Sequence, residues 1–334
     1  MTIKTMAALT QGADLVPWHF DPAPLGPFDC LVKTLSCGLC RSDVHMIDND
    51  WTIARYPLVP GHELIGEVVE KGTSVSDLKL GDRVGIGWQR SACLKCRECL
   101  RAHENLCPEL KGLIVDYHGG YASHVVADSR FCFRMPAGLG TETAGPLLCG
   151  GVTVYSALQY AGLGSGQEIG VVGLGGLGSL AVQFASKLGN RVTAYTRTKD
   201  KAADAVRLGA SEAILLADGR PTDKPSRPLD IVISTVPRHM DWSAILDQMS
   251  TDSTLTFVAI PPDPLTLGLD KLLFQRRRIM SSNIGSRAMI AEVLSIAERF
   301  GIEPVVERFP LTEVNRAIAK LRAHQIRYRA VLIP

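Results

Sequence analysis

The stretch EIGVVGLGGLGSLAVQFASKLG, residues 168–189, carries three signals in one order. Residues 168–172 form a short, mostly apolar run suited to a buried strand. Gly173, Gly175 and Gly178 spell G-x-G-x-x-G, and residues 177–188 have helical periodicity. Strand, glycine turn and helix in succession is the setting in which this spacing binds a dinucleotide. Its glycines let a pyrophosphate approach the backbone at a helix N-terminus, where unpaired N–H groups favour an anion. The pattern continues: 192–195, 213–216, 231–235, 254–259 and 279–284 read as strands separated by helical or loop stretches. Six strands make a complete doubly wound α/β dinucleotide fold, spanning 150–285. Its most loop-like piece is ADGRPTDKPSRPLD at 217–230.

Residues 1–149 differ in texture. They are rich in Gly, Pro and short alternating strands, as in VVEKGTSVSDLKLGDRVGIG with turns at Gly72 and Gly81, which suits a β-rich domain. Within them SACLKCRECLRAHENLC places Cys93, Cys96, Cys99 and Cys107 at the spacing of a four-thiolate zinc site. Such a site is closed, so the metal staples the lobe 93–107 and leaves no position for a substrate. A second donor set is scattered: Cys40 in SCGLCRSDVH, His62 in PGHE and Cys149 in LLCGG. Each residue alone has an ordinary structural explanation; together they offer two thiolates and an imidazole with a fourth position open, the pattern of a catalytic zinc. Asp43 and Glu63 lie close enough in sequence to orient the imidazole and tune the metal.

These segments, with YPLVPGHELIGEVVE, GDRVGIGW, GGYASHVV, AGPLLCGGVTVYSAL and the closing IRYRAVL, extend over essentially the whole chain. In their order and spacing they resemble the zinc-dependent medium-chain alcohol dehydrogenases, in the cinnamyl alcohol dehydrogenase branch and near its bacterial NADPH-dependent aldehyde reductases. The resemblance implies reversible hydride transfer between a nicotinamide and a small alcohol or aldehyde, with two Zn2+ per subunit and a homodimer. It implies a GroES-like catalytic domain made of 1–149 and 286–334, and an active site in the cleft beside the Rossmann domain. Consistent with that return, residues 289–300 and 313–322 read as helices and 305–309 and 329–333 as strands.

Cofactor choice is read after the second strand, in AYTRTKDK, where an NAD enzyme usually places an acid for the ribose 2'-hydroxyl. No acid precedes Asp200, while Thr196, Arg197, Thr198 and Lys201 offer donors to a 2'-phosphate, so NADP(H) is expected. The resemblance adds Thr153, Gly176, Leu177, Thr235, Val236, Ala259, Ser282 and Ile284 as cofactor contacts, with Arg41 and Arg329 at the pyrophosphate. It implies Ser42 and His45 as the proton relay, and leaves Glu63 either beside the metal or transiently on it. Trp51, Trp88 and Ile284 are expected at the substrate. Plant lignin-forming relatives carry an aromatic where this chain has Gly112 and Leu113, which argues against a dedicated lignin enzyme. Trp88, where many relatives carry a small residue, favours flat or slender aldehydes.

Composition excludes other classes. A formal net charge of +2 is near balance, so it implies no general attraction to nucleic acid or membrane, and RRR at 276–278 reads as solvated. The N-terminal segment lacks the apolar core of a signal peptide and no stretch approaches a membrane span, so a cytoplasmic protein is expected. Cys30, Cys37 and Cys132 then read as packing thiols. Two other readings compete: a zinc- and NADPH-binding redox sensor without turnover, and a zinc-free quinone reductase of the same superfamily.

Overall fold

The apolar run Glu168–Val172 becomes the middle strand of a seven-stranded sheet, with Ile169, Val171 and Val172 wholly buried. A strand apolar on both faces is stable only where both faces are covered, as they are in a doubly wound sheet. The order across the sheet is Arg220–Pro221, Glu212–Ala217, Arg191–Thr196, Glu168–Val172, Leu229–Ser234, Met249–Phe257 and Arg278–Ser281. All neighbours are parallel except the short Arg220–Pro221 strand, which pairs antiparallel with Glu212–Ala217 inside the stretch read as loop. Ile169 lies opposite Val192 on one side and Ile231 on the other, so the strand order reverses at Glu168–Val172. In open parallel sheets that reversal opens a crevice at the carboxyl ends, where ligands bind.

The glycine turn sits at that end. Gly173 has φ +95°, and a Cβ on Gly178 would run into the Gly173 carbonyl, so this turn tolerates no side chain at either position. The helix that follows, Gly178–Lys187, buries Leu180, Ala181, Val182 and Phe184 against the sheet. The last strand ends at Ser281 rather than continuing to 284, because Ile284 adopts a left-handed φ of +46° that takes the chain out of the sheet.

The structure, a computed structural model, describes residues 1–261 and 264–334, and divides into two compact units: Met1–Cys149 with Ser286–Pro334, and Gly150–Gly285. In the first unit a second seven-stranded sheet runs Val306–Pro310, Arg329–Ile333, Asp29–Leu39, Leu64–Lys71, Arg83–Ile86 and Phe133–Arg134, with His124–Asp128 also pairing to Asp29–Leu39. The long strand Asp29–Leu39 is interrupted by register shifts between Leu31 and Val32 and between Thr34 and Ser36. Cys37 faces Leu64, and Leu39 faces Ala330. That register sets Cys40, His62, Glu63 and Arg329 at one end of the sheet. Among the described residues no helix is long and apolar enough to cross a membrane.

Replacing Gly178 with Ala forces the turn apart, at a cost of about 1–3 kcal/mol. The expected outcome is a lower thermal midpoint together with weakened dinucleotide affinity, measured by calorimetry and by fluorescence titration with NADPH; wild-type values for both would contradict the steric reading.

Candidate active site and metal centres

Cys40 follows the long strand Asp29–Leu39 and caps the helix Arg41–Asp48, whose first turn carries the buried Asp43. A fully buried carboxylate must be compensated by donors, and Asp43 has four. It accepts from the Cys40 N–H at 2.9 Å, the Gly61 N–H at 2.8 Å, His62 Nδ1 at 2.9 Å and the Tyr121 O–H at 3.4 Å. With Nδ1 engaged, His62 presents Nε2 to the thiols, 3.3 Å from Cys149 Sγ, and Cys149 Sγ lies 4.0 Å from Cys40 Sγ. Cys149 reaches this point from the end of the 3-10 turn Gly145–Leu148.

These donors and a Glu63 oxygen all lie within 4.8 Å of one another. A tetrahedral zinc with ~2.3 Å bonds to sulfur has edges of about 3.8 Å, so the separations fit a metal and exclude a disulfide. Proton sharing fits as well. A hydrogen bond from Cys149 holds the Cys40 thiol well below its ordinary range against the effect of burial, with Arg329 helping, while the same contact pushes Cys149 up. A dication bound here would displace the proton shared by the two sulfurs.

Glu63 does not orient the imidazole. It is wholly buried and its Oε1 pairs with the Arg329 guanidinium, while Oε2 has no hydrogen-bond partner. Burial pushes the Glu63 carboxyl up to about 7 despite Arg329. Arg329, expected at a pyrophosphate, is itself 6% exposed and committed to this pair. Arg41 is exposed at the helix start.

The other expected residues fall into two groups. Ser42 Oγ is 3.8 Å from Cys40 Sγ, and His45 Nδ1 is 2.6 Å from Asp50 Oδ2 with its ring part-exposed. Trp88 meets His62 edge-on, ring centroids 5.1 Å apart; Trp51 meets Trp88 at 5.9 Å and His45 at 5.2 Å. The structure therefore runs aromatic surface from the metal ligand His62 to the histidine His45. In the second unit, Thr235 donates to the carbonyls of Val172 and Gly173, and Val236 lies where a Cβ on Gly173 would be. Thr198 caps the helix Lys199–Arg207, which carries Lys201. Gly175, Gly176 and Leu177 complete the glycine turn, Thr153 lies on the helix Gly150–Tyr160, and Ala259 follows the strand Met249–Phe257. Ser282 shares a hydrogen bond with Ser156 at 2.9 Å. Tyr121, the fourth donor to Asp43, was not singled out from sequence; a Tyr whose hydroxyl must find a buried partner is the only trace it leaves there.

The four-cysteine lobe shows the same sulfur spacing: Cys93 to Cys107 3.5 Å, Cys96 to Cys107 3.8 Å and Cys93 to Cys99 3.9 Å. Backbone N–H groups of Lys95 and Cys96 aimed at its sulfur hold the Cys93 thiol down to about 7. Cys99 N–H points at Cys96 Sγ and Glu109 N–H at Cys107 Sγ. A loop that turns amides toward three of its four sulfurs in this way fits a dication bound by thiolates.

The alcohol dehydrogenase GroES-like domain matches residues 26–137, and the zinc-binding dehydrogenase domain matches 176–319. The chain is 38% identical to an aldehyde reductase of Synechocystis over 99% of its length and 98% of the relative's. It belongs to the zinc-dependent medium-chain alcohol dehydrogenases. It is also 36% identical to cinnamyl alcohol dehydrogenase 8 of Arabidopsis thaliana, covering 98% of this chain and 94% of that one. A cinnamyl alcohol dehydrogenase structure from Sorghum bicolor superposes with a TM-score of 0.91 at 34% identity, covering 100% and 98% of the two chains. As a member of this family the chain is a zinc-binding oxidoreductase that moves a hydride between a dinucleotide and a small alcohol or aldehyde.

Asp43→Asn keeps the shape and removes the charge that holds His62. Zinc affinity at the Cys40 site should fall by roughly 10–100-fold, read by chelator competition, while the lobe site keeps its metal; unchanged affinity would contradict the role given to Asp43. Cys99→Ser should instead lower the thermal midpoint first, because a closed site contributes folding energy, and a variant as stable as wild type would overturn that division.

Proposed function

We propose that this chain is an NADP(H)-dependent aldehyde reductase and alcohol dehydrogenase of the cinnamyl alcohol dehydrogenase branch, acting on slender aromatic or medium-chain primary aldehydes. One observation carries this reading: the Cys40, His62 and Cys149 donors are buried together, and His62, held by Asp43, meets the indole of Trp88. A zinc bound there would supply Lewis acidity at a carbonyl or alkoxide oxygen.

The chain's own residues do the rest. Asp43 locks the imidazole so that Nε2 stays on the metal side. Ser42, beside Cys40, is placed to exchange the hydroxyl proton, and His45, braced by Asp50 and part-exposed, carries it to solvent. Trp51 and Trp88 narrow the space beside His62, which supports a preference for flat or slender substrates over branched ones. For the cofactor, Thr198 Oγ1 accepts the Lys201 N–H, leaving its own proton to donate, and Arg197 is exposed just beyond the strand Arg191–Thr196. These donors support NADP(H). A homodimer is part of the proposal: the sheet ends in the edge strand Arg278–Ser281, and Leu269, Leu273 and Phe274 beside it are 71%, 66% and 78% exposed.

The test is a steady-state panel of primary, branched and aromatic aldehydes with NADPH and NADH, for wild type and Arg197→Ala. The loss of one charge-assisted contact should raise the KM for NADPH by roughly 10-fold or more and leave NADH kinetics nearly unchanged. Equal losses with both cofactors would mean that Arg197 serves the fold or the shared adenosine, and faster turnover of branched ketones than of primary aldehydes would refute the substrate class.

A further inference from the structure

The glycine turn is held from both sides. Gly173 donates its N–H to the Tyr195 carbonyl at 2.8 Å, and Thr235 Oγ1 donates to the Gly173 carbonyl at 3.1 Å. Two residues beyond Tyr195 stands Arg197; three beyond Thr235 stands Arg238. Two loops that leave the carboxyl ends of the strands flanking Glu168–Val172 thus each carry an arginine at the switch point of the sheet.

Among the described residues no acidic group pairs with Arg197 or Arg238, whereas the nearby acid Asp241 is already engaged by Arg220 at 2.6 Å and by the Ala244 N–H at 3.0 Å. Arg238 is half-buried, and with Met240, Trp242 and Leu265 it lines a cavity of about 70 Å³. Burial, and after it the neighbouring charge of Arg197, lowers the Arg238 pKa, and no acidic group among the described residues offsets it. A half-buried guanidinium beside a second, exposed cation is stabilised when an anion joins the two.

We propose that Arg238 is a second specificity-determining residue for the 2'-phosphate, acting from the Leu229–Ser234 side while Arg197 acts from the Arg191–Thr196 side. The proposal rests on the NADP(H) reading above and adds to it a residue that lies outside the AYTRTKDK segment. The selective ligand is a ribose phosphomonoester, which two guanidinium forks would grip on different oxygens.

The experiment is calorimetric titration of the full chain at one fixed ionic strength with 2',5'-ADP and with 5'-AMP, for wild type, Arg197→Gln, Arg238→Gln and Arg238→Lys. Arg238→Gln should weaken 2',5'-ADP by roughly 10-fold and leave 5'-AMP within about two-fold, with Arg238→Lys recovering part of the loss. If wild type binds the two ligands equally, the NADP(H) reading fails and this inference with it. If wild type prefers 2',5'-ADP and only Arg197→Gln abolishes the preference, the reading stands and the role of Arg238 is overturned. Equal weakening of both ligands by Arg238→Gln also overturns it, since that is what a contact to adenine or to the fold would give.

Discussion

The first unit is organised around a carboxylate that has no access to water. Asp43 is wholly buried, and the donors that make this tolerable come from a helix start, a turn, an imidazole and a tyrosine. Each such bond to a charged group is worth ~1.5–3 kcal/mol, but losing one leaves a buried charge short of a partner, which costs more than the bond is worth. The Cys40 amide, the 60–62 turn and the Tyr121 loop are therefore held to one geometry. The metal site inherits its shape from that requirement, because Cys40 and His62 are two of the elements so held.

Charge accounting explains why Glu63 and Arg329 sit beside the site. Two thiolates and a dication sum to zero, and Asp43 is spent on His62 and on amides. Glu63 would add a negative charge to a buried cluster, and the Arg329 guanidinium balances it. The pairing follows from sheet register: Ala330 faces Leu39 across the sheet, so the tail strand delivers its first residue to the metal end. Glu63 Oε2 is buried and unpartnered, and a Glu63 oxygen lies within 4.8 Å of the Cys40, His62 and Cys149 donors. That arrangement keeps a carboxylate within reach of the metal without committing it.

What could be read from the residues follows the range of each interaction. The glycine turn, its strand and helix, and the cysteine lobe are local patterns, so 168–189 and 93–107 announce themselves, and Asp43 is legible because it lies three residues from Cys40. The ion pair of Glu63 and Arg329 joins residues 266 positions apart and leaves no local trace, so Arg329 reads as a pyrophosphate contact instead of as the partner of Glu63. Tyr121 is likewise silent until the sheet brings it to Asp43. The strand at 279–284 reads too long because nothing in SSNIGS shows that Ile284 turns left-handed, and the two-residue strand at Arg220 is too short for any periodicity. Arg238 carries no local signal, because its neighbour Arg197 comes from a different loop.

The two donor sets suit a metal by different logic, one closed and structural, one open and reactive. Elemental analysis of the purified full chain, counted per mole of protein, tests it most directly. The account predicts two zinc ions per chain; a single zinc would leave the lobe as the only metal site, and none, in an active protein, would contradict the reading of both donor sets.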